Sequence, residues 1–153
     1  MNNNTQTTKI MILIPCFKEE SAIRNVATQA IQTGLGDVVV VDDGSPDNTA
    51  NEARAAGANV IVHEINKGKG AAMITGFSYA LEHSYDAVIT MDGDGQHAPT
   101  EIINFVNAWK QTGADMIVGS RMANTKGMPF IRLLTNKFMS WLLSKALGQK
   151  VSD

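Results

Sequence analysis

The chain has 153 residues, 44% hydrophobic and 18% charged, which excludes an intrinsically disordered polypeptide and leaves room for one packed core of ordinary domain size. Lys and Arg number 13 against 15 Asp and Glu, a formal net charge of −2, so there is no overall basic footprint for a polyanion and nucleic acid is excluded as a main partner. A single cysteine, Cys16, leaves no second thiol for a disulfide or a cysteine-based zinc site, and no apolar run is long enough to span a bilayer.

From the N-terminus, Met1 to Thr8 is polar and uncharged, without the apolar stretch of a signal peptide, and is expected to be a disordered tail. Short apolar runs rich in β-branched residues then recur at Ile10–Ile14, Val38–Val41, Val60–Val62, Ala87–Met91 and Met116–Val118. Hydrophobicity this continuous, without alternation, is what strands need when both faces of a parallel sheet are covered. Helices are predicted between them. Ser21 and Gly34 lie near the two ends of the first, and Ser45-Pro46-Asp47-Asn48-Thr49 supplies turn and cap chemistry before Ala50–Ala56, with Gly57 as the stop. Gly70–Leu81 is the third, and Pro99-Thr100-Glu101 opens a fourth that ends at Gly113. The class is α/β, a mainly parallel sheet flanked by helices, with residues 9–153 forming a single domain.

The acidic residues sit where the strands run out. Glu19-Glu20 follows the first strand after a Pro15 turn, Asp42-Asp43 follows the second, and Asp92-Gly93-Asp94 follows the fourth. In an open parallel sheet all C-terminal strand ends share one edge, where ligands bind, so carboxylates distant in sequence are brought to one crevice. Two carboxylates at i and i+2 around a glycine can aim at one hard cation, as Mg²⁺ or Mn²⁺ takes one or two carboxylates plus substrate phosphates. A solvated turn is the alternative for the same three residues. A calcium loop counted from Asp92 fails, because its sixth position is His97 rather than Gly and its twelfth is Ile103 rather than Glu. No P-loop or dinucleotide-binding glycine pattern is present, and a phosphatase of the Asp-x-Asp type carries its pair after the first strand, not the fourth.

Five motifs, taken together, carry a resemblance. Ile14-Pro15-Cys16-Phe17-Lys18-Glu19-Glu20, Val40-Val41-Asp42-Asp43-Gly44-Ser45, Asn66-Lys67-Gly68-Lys69-Gly70, Met91-Asp92-Gly93-Asp94-Gly95-Gln96-His97 and Gly119-Ser120-Arg121 occur in that order. The chain resembles the family 2 glycosyltransferases of A-type fold, and within them the dolichol-phosphate mannose synthase-like group of polyprenyl-phosphate sugar synthases. The resemblance implies that Pro15, Phe17 and Glu19 line a nucleobase pocket and that Asp42 and Asp43 hold base and ribose. It further implies that Asp92 and Asp94, with Gln96 and around Gly93, bind Mg²⁺ or Mn²⁺ on the donor diphosphate, and that Arg121 pairs with phosphate. Asp94 and Arg121 would be the catalytic residues.

Other readings of the same residues stay open. Phe17 can pack the sheet edge, Arg121 can cap a strand end, and Asp42-Asp43 can cap the following helix, with only one of the two touching ligand. Lys67 and Lys69 read as solvated charges. His63, His83 and His97 share no metal-ligand spacing and read as satisfied or exposed histidines.

Residues 130–147 form an amphipathic basic stretch, with Trp141 among many leucines and with Arg132, Lys137 and Lys145 interspersed. It suits either a core-covering helix or a peripheral membrane contact. The family's Asp-x-Gln-Ser-Gly-Phe-Arg-like segment has no counterpart before Asp153, so the C-terminal part is expected to be missing. The function implied is an inverting, metal-dependent glycosyltransferase of cell-envelope or glycan biosynthesis at the cytoplasmic face of a membrane. It would move a sugar from a GDP- or UDP-linked donor to a polyprenyl (dolichyl or undecaprenyl) phosphate. The alternative is a truncated nucleoside-diphosphate-binding module without turnover.

Overall fold

The computed structural model describes residues 8–96 and 99–119. The chain divides after Gly113 into two compact units, the second of which is described only over 114–119. The first unit runs β1 (Ile10–Cys16), α1 (Ile23–Gln32), β2 (Asp37–Asp42), α2 (Thr49–Ala55), β3 (Asn59–Val62), α3 (Lys69–Glu82), β4 (Ala87–Thr90), a 3₁₀ turn (Pro99–Glu101) and α4 (Ile102–Thr112). The strands form one sheet in the order β3-β2-β1-β4, every pair parallel. This is an α/β fold of the kind the sequence leads one to expect.

The apolar run of β1 has a direct cause. All seven of its residues are buried. Ile10, Ile12, Ile14 and Cys16 pack on one face against Ile23, Val26, Ala27 and Ala30 of α1, Ala53 of α2, and Ile102 and Val106 of α4. Met11 and Leu13 pack on the other face with Val39 and Val41 of β2 against Ala72 and Ala80 of α3. Each fully buried Ile or Leu is worth roughly 1.5–3 kcal/mol, and a strand with two covered faces has no position left for a polar residue. The right-handed hand of parallel crossovers then fixes the rest: β1-α1-β2-α2-β3 steps outward on one face, and α3 carries the chain back across the other to reach the free side of β1. Strand order therefore reverses between β1 and β4.

Two glycines make the close approaches possible. A Cβ on Gly76 would land on the side chain of buried Leu13, so α3 lies against the sheet at a distance that only hydrogen permits. Gly44, at φ +72°, turns the chain after β2, and a Cβ there would stand 2.5 Å from the carbonyl carbon of Ile65.

Several element boundaries differ from the sequence expectation. Ser21 and Gly34 do flank α1 (Ile23–Gln32), and the bonds that open the helix run from the amides of Ala22 and Ile23 to the Glu19 carbonyl. Gly113 ends α4 in the left-handed region, as a C-terminal glycine should. Met116–Val118 forms no strand. Three apolar residues meet the composition of a strand but do not supply the partner backbone that a ladder requires. Arg121 and residues 130–147 lie outside the described residues. Among the described residues no helix is long and apolar enough to cross a membrane.

Replacing Gly44 with Ala is expected to cost about 2 kcal/mol or more, because a side chain at positive φ is strained and the new methyl meets backbone. The check is a lower urea midpoint at unchanged slope.

Candidate functional site

An open cleft of about 350 Å³ lies where β1 and β4 end. Pro15, Cys16, Phe17 and Glu19 line it from the turn after β1, and Asp43 from the end of β2. Asn66, Lys69 and Ala72 line it from the approach and first turn of α3, and Asp92, Gly93 and Asp94 from the turn after β4. The reversal of strand order leaves no crossover helix over this point, which is why a crevice forms there.

The turn after β1 is held by its neighbour. Lys18 sits at φ 60°, and its amide donates to Ser45 Oγ at 2.9 Å; the next amide, of Glu19, donates to Thr49 Oγ1 at 2.9 Å. Each hydroxyl in turn donates a hydrogen bond to a carboxylate, Ser45 to Asp42 and Thr49 to Asp47 Oδ1, the latter at 2.5 Å. The Ser45 amide also donates to Asp42 Oδ1 at 3.1 Å, and the Asn48 amide to Glu20 Oε2 at 3.0 Å. The Thr49 hydroxyl, against the opposing effect of burial and with help from the Thr49 amide, holds Asp47 below the usual carboxylate range. Asp42, 1% exposed, is thus spent on the loop and does not line the cleft.

Asp43 does line it, though only 2% of its surface is exposed. Its Oδ1 accepts from His63 Nδ1 at 2.6 Å and from the Lys67 amide at 2.9 Å, and its Oδ2 from the Gly68 amide at 2.6 Å. Burial alone would raise its pKa, but the hydrogen bonds from Lys67, His63 and Gly68 outweigh burial and hold it below the ordinary value. A buried carboxylate with three protein donors is ionised.

The carboxylates facing the cleft mouth are satisfied differently. Glu19 is raised above its usual range by burial first and then by the negative charges of Asp94, Asp47 and Asp92. Asp92 Oδ1 takes Lys69 Nζ at 2.5 Å, and Asp94 Oδ1 takes the amide of Gln96 at 2.9 Å. Burial, with Asp42, Glu19, Asp47 and Asp43 nearby, pushes the Cys16 thiol far up, so it stays protonated and unreactive.

Among the described residues no group of three or more His, Cys, Asp or Glu converges as a metal cage. Two carboxylates that need phosphate oxygens to complete the shell are nevertheless the donor set that Mg²⁺ or Mn²⁺ uses with a diphosphate. The ammonium on Asp92 and the mutual repulsion felt at Glu19 mark the place as one that favours positive charge. The residues fit the ion.

Of the residues singled out from sequence, Pro15, Phe17, Glu19, Asp43, Asp92, Gly93 and Asp94 meet in one cleft. Asp42 and Gln96 do not line it, and Arg121 lies outside the described residues. Asn66 and Lys69 of the third motif, which were given no site role, also line it, and Lys69, expected as a solvated charge, pairs with Asp92. Lys69 was legible in one respect: it opens the helix after β3, at the same sheet edge as the carboxylates.

Because the folded pKa of Asp43 is depressed, the unfolded chain binds the extra proton between the two values. Its contribution to stability is full above the ordinary carboxylate value of 3.8 and is lost as pH falls through the folded value. Asp43→Asn puts an NH₂ or a weaker acceptor against these donors and is expected to cost about 2 kcal/mol near neutral pH. Denaturant melts at descending pH should show a shallower acid slope in the variant than in the wild type.

Comparison with known proteins places this geometry. The chain is 33% identical over 164 residues to UDP-N-acetylglucosamine–dolichyl-phosphate N-acetylglucosaminyltransferase of Methanococcus voltae, covering 94% of this chain and 65% of that one. It is 31% identical to polyprenol monophosphomannose synthase of Mycolicibacterium smegmatis, covering 96% and 59%. It thus spans about half to two-thirds of the length of the curated relatives it matches. Among solved structures, glucosyl-3-phosphoglycerate synthase of Mycobacterium tuberculosis superposes with a TM-score of 0.59 at 28% identity, over 70% of this chain and 42% of that one. The same enzyme in complex with Mn²⁺, uridine diphosphate and glucosyl-3-phosphoglycerate gives a TM-score of 0.58 at 26% identity, over 69% and 40%. Residues 11–151 match the model of glycosyl transferase family 2, nearly the whole chain, and the chain belongs to that family.

Proposed function

We propose that the cleft holds a nucleoside diphosphate sugar and that the chain is the donor-binding part of an inverting glycosyltransferase whose acceptor is a polyprenyl phosphate. The observation that carries this reading is the meeting of Glu19, Asp43, Asp92 and Asp94, from three separate βα turns, in one cleft at the reversal of strand order.

Pro15 and half-exposed Phe17 offer apolar surface to a nucleobase, while Glu19 and Asp43 accept from base N–H or ribose O–H donors. Asp92 and Asp94 would hold Mg²⁺ or Mn²⁺, and the backbone amide of Gln96 orients Asp94. The bound ion would stabilise negative charge developing on the leaving diphosphate. Lys69, within reach of Asp92, brings a second positive charge to the same oxygens. Arg121 is assigned to phosphate by its place in the Gly119-Ser120-Arg121 motif. Asp42 is reassigned: it holds the turn after β1 through Ser45 and meets no ligand.

A phosphate monoester is anionic near neutral pH and attacks the anomeric carbon without a general base, whereas a sugar hydroxyl needs one. The names of the dolichyl-phosphate and polyprenol relatives favour a lipid phosphate. The glucosyl-3-phosphoglycerate synthase likeness favours a small phosphorylated acid as the second reading. The basic stretch 130–147 would bring the chain to a membrane surface in the first case.

Incubating labelled UDP- and GDP-sugars and Mn²⁺ with polyprenyl phosphate or phosphoglycerate separates the acceptors by where the label goes. Donor binding without transfer to either acceptor identifies a module that does not turn over. In a thermal-shift panel with Mn²⁺, one nucleoside diphosphate should raise the melting midpoint selectively. Asp94→Asn should weaken that binding by about tenfold or more and leave the unliganded midpoint within about 1 °C of wild type, since exposed loop carboxylates carry little stability. Normal metal and nucleotide binding by the variant would overturn the site assignment.

A further inference from the structure

We propose that His63 is a positioning residue for the nucleoside end of the cleft, locking Asp43 between β2 and α3 so that one acceptor site, on Oδ2, faces the ligand. The proposal rests on the reading of Asp43 as a nucleoside contact.

His63 follows β3, is 8% exposed and does not line the cleft. Its backbone is fixed, because its amide donates to the Asp42 carbonyl at 2.9 Å and so continues the β2–β3 ladder by one bond. Its ring spans two elements: Nδ1 lies 2.6 Å from Asp43 Oδ1 and Nε2 lies 2.9 Å from Thr75 Oγ1 on α3. A carboxylate can only accept, so Nδ1 carries the proton, and in the neutral ring Nε2 accepts from the Thr75 hydroxyl. Every polar atom of the imidazole is used.

The consequence falls on Asp43. Oδ1 takes both His63 and the Lys67 amide and has no lone pair left, while Oδ2 takes the Gly68 amide and keeps one. Without the ring, the carboxylate would keep two amide donors on one side and could rotate about its Cβ–Cγ bond, exchanging the oxygen that faces the cleft. With it, the group is pinned from three directions. The same ring ties α3 down at Thr75, about two turns beyond the amides that Asp43 holds, so helix and carboxylate are set by one network.

The test compares nucleoside diphosphates with inorganic pyrophosphate, each with Mn²⁺, by calorimetry on the whole chain. His63→Leu should weaken nucleoside diphosphate binding about tenfold while pyrophosphate binding stays within about twofold, since one charge-assisted hydrogen bond is lost at the nucleoside end alone. His63→Asn places an amide N–H near the position of Nδ1 and should recover binding to within about threefold of wild type. Equal loss of both ligands in His63→Leu would mean a merely structural histidine, and no loss of either would mean that Asp43 needs no lock; each overturns the proposal. Should His63→Leu fail to fold, Thr75→Val removes only the outer hydrogen bond and should lower nucleoside diphosphate affinity about threefold with pyrophosphate unchanged. No change there would equally overturn it. Wild-type protein that binds pyrophosphate but gains nothing from an attached nucleoside would instead sink the underlying reading of Asp43.

Discussion

The molecule is organised by the double enclosure of β1. This strand has a neighbour on each side and helices on each face, and none of its residues reaches solvent appreciably. A strand so placed must be apolar along its length, and the crossovers to its two neighbouring sides run over opposite faces of the sheet. That single requirement sends α1 and α2 to one layer and α3 to the other. It also leaves the ends of β1 and β4 side by side with no connection over them. The cleft is the space left behind, and its lining residues are the first ones after the strands, where the chain is free to be polar.

The acidic residues at that edge divide by what satisfies them. Asp42, Asp43 and Asp47 receive hydroxyl, amide or imidazole donors from the protein itself and are committed to holding loops in place. Glu19, Asp92 and Asp94 stand at the mouth, where the negative charges of Asp94, Asp47 and Asp92 add to burial in raising the pKa of Glu19. Asp43 belongs to both groups, because its packing leaves part of one oxygen unused.

What could be read from the sequence follows from the range of each interaction. The central strands β1 and β2 were legible because burial on two faces imposes a local composition, and Gly113 was legible as a stop because its left-handed conformation is a property of one residue. Met116–Val118 has the same composition as a strand and is not one, since pairing is not a local property. Ser21 has the chemistry of a cap, yet the Glu19 carbonyl supplies the first bonds of α1. The division between Asp42 and Asp43 could not be drawn from adjacent identical residues. It depends on Ser45 reaching back three positions and on His63 reaching back 20. Lys69 read as a solvated charge for the same reason, as its partner Asp92 lies 23 residues away.

The paired hydroxyl relays have a consequence for how the cleft is used. Because Ser45 and Thr49 fasten consecutive amides of the turn after β1 to anchored carboxylates, the turn holds its shape with nothing bound, including the left-handed residue Lys18. An arriving molecule meets a rigid wall and forfeits little conformational entropy in ordering it. Discrimination among ligands then follows from fit to a preorganised surface and not from the capacity of that surface to reshape itself around each of them.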